Sequence, residues 1–93
     1  MAFTSETTVT TENASKYLQQ LCKHFGHKVE TSFTPEEGKI NFPMAVCILE
    51  AKDNTLFMRL SAETQEDVRK AEGIVVSHLE RFAFKEDLSI SWS

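Results

Sequence analysis

Ninety-three residues with a formal net charge of −4 and 41% hydrophobic content make one folded domain over 1–93, too small for a second core. The acidic balance argues against a nucleic-acid binder, which must neutralise phosphates with a basic face, and no apolar run approaches the ~20 residues that span a bilayer. Two cysteines, behind an N-terminus (Met1-Ala2-Phe3-Thr4-Ser5-Glu6) without a basic and then hydrophobic leader, point to free thiols in a reducing, cytoplasmic setting.

Residues 2–10 alternate, with Phe3, Ser5, Thr7 and Val9 against Thr4, Glu6 and Thr8, which predicts a first strand. Thr11 or Asn13 can cap the next element, and Glu12 suits its positive end. Ala14, Tyr17, Leu18, Leu21, Cys22 and Phe25 then recur at helical spacing and form one continuous stripe. Gly26 stands where a left-handed cap is expected, with Lys23, His24 and His27 at the negative end of the dipole.

From Lys28 the period returns to two, with Val29, Thr31 and Phe33 sharing a face. Pro35-Glu36-Glu37-Gly38 reads as a turn, with glycine free to take a positive φ, so residues 28–42 form a hairpin. Pro43, which cannot donate to a sheet ladder, predicts a break, bulge or edge. Residues 44–51 are apolar on both faces and read as a central strand. Lys52-Asp53-Asn54-Thr55 turns the chain into an alternating partner, Leu56, Met58 and Leu60 against Phe57 and Arg59. Thr64 caps a second helix whose apolar face carries Val68, Ala71, Val75, His78, Leu79 and Phe82. Gly73 inside it suggests a close packing contact. Leu88, Ile90 and Trp92 alternate with serines as a last strand. The order β-α-β-β-β-β-α-β implies an α+β, two-layer fold: a largely antiparallel sheet with two helices on one face.

The chemistry-bearing side chains are Cys22, Cys47, His24, His27, His78 and Tyr17. Thiolate and imidazole suit zinc and iron, but Cys22 and His24 lie about 200° apart on a helix and cannot grip one ion together. His24 lies about 20° from Tyr17 on the same flank, and His27 could share the inward face of the next strand. The ligand-binding set is therefore Tyr17, His24, His27 and His78. The three histidines are the only metal candidates, no resident metal or cofactor is expected, and Cys22 and Cys47 are most simply core residues. As an enzyme the chain would use His78 as a base or Cys22 as a nucleophile, although no catalytic motif surrounds either. Val46, Ile48 and Phe57 project outward with Arg59 as an apolar patch for self-association, a homodimer, or another partner.

Two long runs carry a family resemblance. Tyr17-Leu18-x-x-Leu21-Cys22-Lys23-His24-Phe25-x-His27-Lys28, with Cys47-x-Leu49-Glu50-Ala51 and His78-Leu79-Glu80-Arg81-Phe82-Ala83-Phe84-Lys85-Glu86, resembles a family of small bacterial proteins catalogued as domain of unknown function 2218. Some relatives are associated with siderophore-interacting flavin reductases. The resemblance thus implies an iron or siderophore connection, and it transfers no catalytic residue. The function expected is that of a non-enzymatic binding or accessory protein, with the dimerisation module and the small enzyme as alternatives.

Overall fold

The computed structural model describes residues 2–83 together with Ile90 and Trp92. In chain order it contains β1 (Phe3–Thr10), α1 (Ala14–Phe25), β2 (Glu30–Phe33), β3 (Glu37–Asn41), β4 (Val46–Lys52), β5 (Thr55–Ala62) and α2 (Gln65–Phe82). The strands form one sheet in the order β1-β5-β4-β3-β2, and every neighbouring pair is antiparallel. The fold is α+β, with β4 in the centre as its two-faced apolarity requires. The last strand expected from Leu88 onward and the turn at Phe84–Asp87 lie outside the described residues. Ile90 and Trp92 are half-buried against the core.

Because β1 and β2 occupy opposite edges, α1 must cross the sheet between them, and it packs on β2, β3, β4 and β5. α2 covers β5 and β1 and meets α1 along one side. Between the helices and the sheet lie Leu18, Leu21, Cys22, Ile40, Cys47, Leu49, Leu56, Met58, Leu60, Val75 and Leu79, each with no more than a trace of exposed surface. Period two in the strands and the i, i+3, i+4 pattern in the helices aim these residues at one layer. On the opposite sheet face Glu6 sits across from Arg59 and accepts its guanidinium, with Nε to Oε1 at 2.7 Å. Both side chains are about half exposed, so the pair contributes well under ~1 kcal/mol.

Capping differs from expectation at α1. Asn13 holds the N-cap position but makes no side-chain cap bond, and the Thr11 hydroxyl accepts the Asn13 N–H instead. At α2 the Thr64 hydroxyl accepts the Asp67 N–H at 3.1 Å, as the sequence predicts. The two glycines near α1 also play other parts. Gly26 is right-handed (φ −61°), and a Cβ there would lie 2.9 Å from Thr31 Oγ1. Gly38 belongs to β3 rather than to the turn, and no glycine takes a positive φ among the described residues. Positive φ falls instead on Asp53 (51°) and Asn54 (58°) in the β4–β5 hairpin, the conformation a two-residue primed turn demands.

Gly73 is the third departure: nothing lies within 4 Å of a Cβ built there. A helix-interior glycine with open space costs conformational entropy without a packing return. Gly73→Ala is therefore expected to stabilise the protein by about 0.5–1 kcal/mol, read as a higher urea midpoint.

Candidate functional site

Where the C-terminal turns of α1 and α2 meet, five rings gather. The His24 and His78 ring centroids are 4.6 Å apart and tilted by 46°. Phe25 lies beneath, 4.7 Å from His78 and 5.3 Å from His24, and Phe42 closes on Phe25 at 4.9 Å. Phe82, one turn after His78, meets His24 edge-on at 5.9 Å. Helical spacing produces the arrangement, because His24 follows the flank of Tyr17 on α1 while His78 and Phe82 flank the buried face of α2.

His78 is half-buried, and its Nδ1 lies 2.7 Å from the Ile74 carbonyl one turn earlier. A carbonyl can only accept, so Nδ1 carries the proton, and Nε2 is the nitrogen whose lone pair can take a ligand. His24 is exposed. Desolvation against its neighbours, and then the positive charges of His78, Lys28, His27 and Arg81, hold its imidazolium below the usual histidine range. The ends of two helix dipoles act the other way and favour a cation. What results is an imidazole pair in which one ring has a fixed tautomer and the other favours its neutral form.

The remaining sequence candidates separate. Tyr17 is 3% exposed and belongs to the core beneath the helices. His27 is exposed and takes no part in the ring contacts of the described residues. Among the described residues no group of three or more His, Cys, Asp or Glu is placed to hold a metal. Gln20 escapes a reading based on histidine and cysteine spacing. It lies one turn before His24, about 40° round the helix, and its buried Oε1 finds no hydrogen-bond donor among the described residues. The signal was there: a glutamine on the flank that Tyr17 and His24 share.

Cys22 and Cys47 are free, fully buried core residues. Burial pushes the Cys22 thiol up to about 11, although the Lys39 backbone N–H opposes the rise. Burial, with neighbouring Cys22 adding to it, pushes Cys47 to about 12. A thiol so placed is neither ionised nor reachable at neutral pH, which leaves Cys22 without the properties of a nucleophile. Since the folded state holds these protons above the ordinary thiol range, stability is complete below that range and declines as pH rises through it toward 11. Urea midpoints should fall above pH ~9 and fall less in Cys22→Ala/Cys47→Ala, and a thiol reagent near neutral pH should label the protein only through unfolding.

Elsewhere, an open groove of about 420 Å³ at β2, β3 and β4 is lined by Phe33, Lys39, Ile48 and Glu50 among others and includes no histidine. The outward residues lie as parity predicts, with Val46, Ile48 and Phe57 half-buried and Arg59 exposed. Among the described residues no helix is long and apolar enough to cross a membrane.

Comparison with known proteins finds a matching family and similar solved structures. No curated protein matches. The NMR structure of PA4090 from Pseudomonas aeruginosa superposes with a TM-score of 0.82 at 38% identity, covering 98% of this chain and 95% of that one. The model of the family described as "Uncharacterized protein conserved in bacteria (DUF2218)" matches residues 6–93, which include both histidines of the pair and the Phe25 beneath them. The chain belongs to that family.

Proposed function

We propose that this is a non-enzymatic binding protein of the bacterial cytoplasm whose ligand docks on the His24–His78 pair. One observation carries the reading: two imidazoles from different helices lie 4.6 Å apart over an aromatic floor. The separation suits shared coordination. A metal–nitrogen distance of 2.0–2.1 Å places each ring centre roughly 3.2 Å from the ion, so centres 4.6 Å apart subtend about 90° at it. The Ile74 carbonyl on His78 Nδ1 is the kind of outer partner that orients a ligating histidine. With only two protein donors, the ion's other positions belong to water or to a small chelating molecule. An iron- or siderophore-linked ligand is one such case, although imidazoles alone suit borderline divalent ions better than ferric iron, which prefers oxygen. Free buried thiols support the cytoplasmic assignment.

The test follows the three histidine ring signals by NMR during titration with Zn(II), Fe(II) and Fe(III). His24 and His78 should respond together, most strongly to Zn(II). If none of the three rings moves with any ion, the metal reading ends.

A second reading has its own observation. Val46, Ile48 and Phe57 are outward and adjacent on β4 and β5, and their apolar surface is only half covered. This patch would support a homodimer or a docked protein partner through the outer sheet face. Sedimentation of wild type against Phe57→Glu decides it, and a monomer in both removes the dimer. An enzymatic role through His78 as a base would have the His24 imidazole as its titratable neighbour among the described ring contacts.

A further inference from the structure

On the far side of α2, away from the histidine pair, a cavity of about 310 Å³ opens between β1 and the first turns of the helix. Its walls include Phe3, Ser5, Val68, Arg69, Glu72 and Trp92. Three features there lack a structural purpose. The Trp92 indole N–H is shielded from solvent yet finds no acceptor among the described residues. Such a buried, unmade hydrogen bond costs about 1–3 kcal/mol, and native proteins seldom tolerate one without a reason. The Arg69 guanidinium is exposed and makes no ion pair among the described residues, although its helix neighbour Lys70 reaches Glu66 at 3.8 Å. Phe3 keeps 46% of its surface exposed at the cavity mouth, beside the apolar side of Val68.

We infer that this cavity binds a small monocarboxylate with an apolar body, held by Arg69 and the Trp92 N–H and packed on Phe3. Two donors without acceptors call for an anionic acceptor, and guanidinium matches carboxylate geometry. The first turns of α2 add the positive end of a helix dipole. Glu72 sets the charge limit. Its Oε2 takes the buried Ser5 hydroxyl at 2.5 Å, which turns the carboxylate toward β1, but its negative charge stays at the cavity wall. A singly charged carboxylate tolerates that neighbour better than a dianionic phosphate does. The apolar wall of Phe3 and Val68 then selects an aryl or alkyl body over acetate.

Trp92 is the single tryptophan of the chain, so its fluorescence reports on the cavity directly. The experiment titrates the whole protein at low salt with benzoate, hexanoate, acetate and inorganic phosphate. The expected result is a saturable fluorescence change with benzoate or hexanoate and a weaker one with acetate and phosphate. Arg69→Gln should weaken binding about tenfold or more, the loss of one charge-assisted contact. His78→Ala should leave it unchanged, which separates this cavity from the histidine site. Absence of a saturable change with both apolar carboxylates, equal binding in Arg69→Gln, or a preference for phosphate would each overturn the assignment.

Discussion

Phe25→Ala is expected to cost about 3–5 kcal/mol of folding free energy and to scatter the histidine pair at the same time. Phe25 is 6% exposed at the end of α1. Its ring touches Phe42 from the β3–β4 connection, His78 from α2 and its own neighbour His24. Removing the ring leaves a cavity where two helices and a loop converge, with little freedom to collapse because the sheet fixes all three. Against a total stability on the order of 5–14 kcal/mol for a chain of this length, the loss is large. Urea denaturation measures it. Phe25→Leu refills most of the volume and should cost less than half as much. In that variant the His24 and His78 ring signals should still respond to a common ligand, so the leucine protein separates damage to the site from damage to the fold. A cost under ~1 kcal/mol for alanine would show that the ring is not packed as described.

Gly38→Ala should lower stability by about 1–3 kcal/mol, an unusual cost for adding one methyl group to a strand. The reason is the approach of α1. A Cβ at Gly38 would stand 2.8 Å from Cys22 Sγ and 3.2 Å from Leu18 Cδ2. Leu18 can swing its terminal methyl aside, whereas the Cys22 sulfur, fully buried, can give way only by changing its χ1 rotamer into neighbouring packed atoms. Gly38 pairs with Leu49 on β4 and Phe33 on β2, so the strand cannot shift either without breaking register. The double variant Gly38→Ala/Cys22→Ala exchanges sulfur for the new methyl and should recover a substantial part of the loss. Additive losses in the double variant would contradict the packing argument, because contacting residues are expected to couple.

Alternation and helical spacing were enough to place every element among the described residues, because one-sided burial writes period two or 3.6 directly into the chain. Val9, Leu49 and Leu60 could only face inward, and Val46, Ile48 and Phe57 only outward. Glycine was harder to read. At Gly26 and Gly38 the demand is for space, imposed by Thr31 and Cys22 from elsewhere in the chain, and a local rule about positive φ cannot see it. The turn at Asp53–Asn54 shows the converse, with positive φ carried by residues other than glycine. At the site, the flank shared by Tyr17 and His24 was visible from angular position, and so was the sidedness of His78. Which of the four candidates meet depends on how far α1 and α2 lie apart and on their relative rotation, and neither quantity is written locally. That geometry joins His24 to His78, buries Tyr17 and leaves His27 outside the ring cluster.

The claim that His24 and His78 form one site is tested most directly by a double-mutant cycle with Zn(II) as the probe ligand. Calorimetry on wild type, His24→Ala, His78→Ala and the double variant gives four affinities. If both rings hold one ion, each single variant loses most of the binding and the double variant loses little more, for a coupling of about 1 kcal/mol or larger. Affinity losses that simply add, or single variants that bind as wild type does, would contradict it.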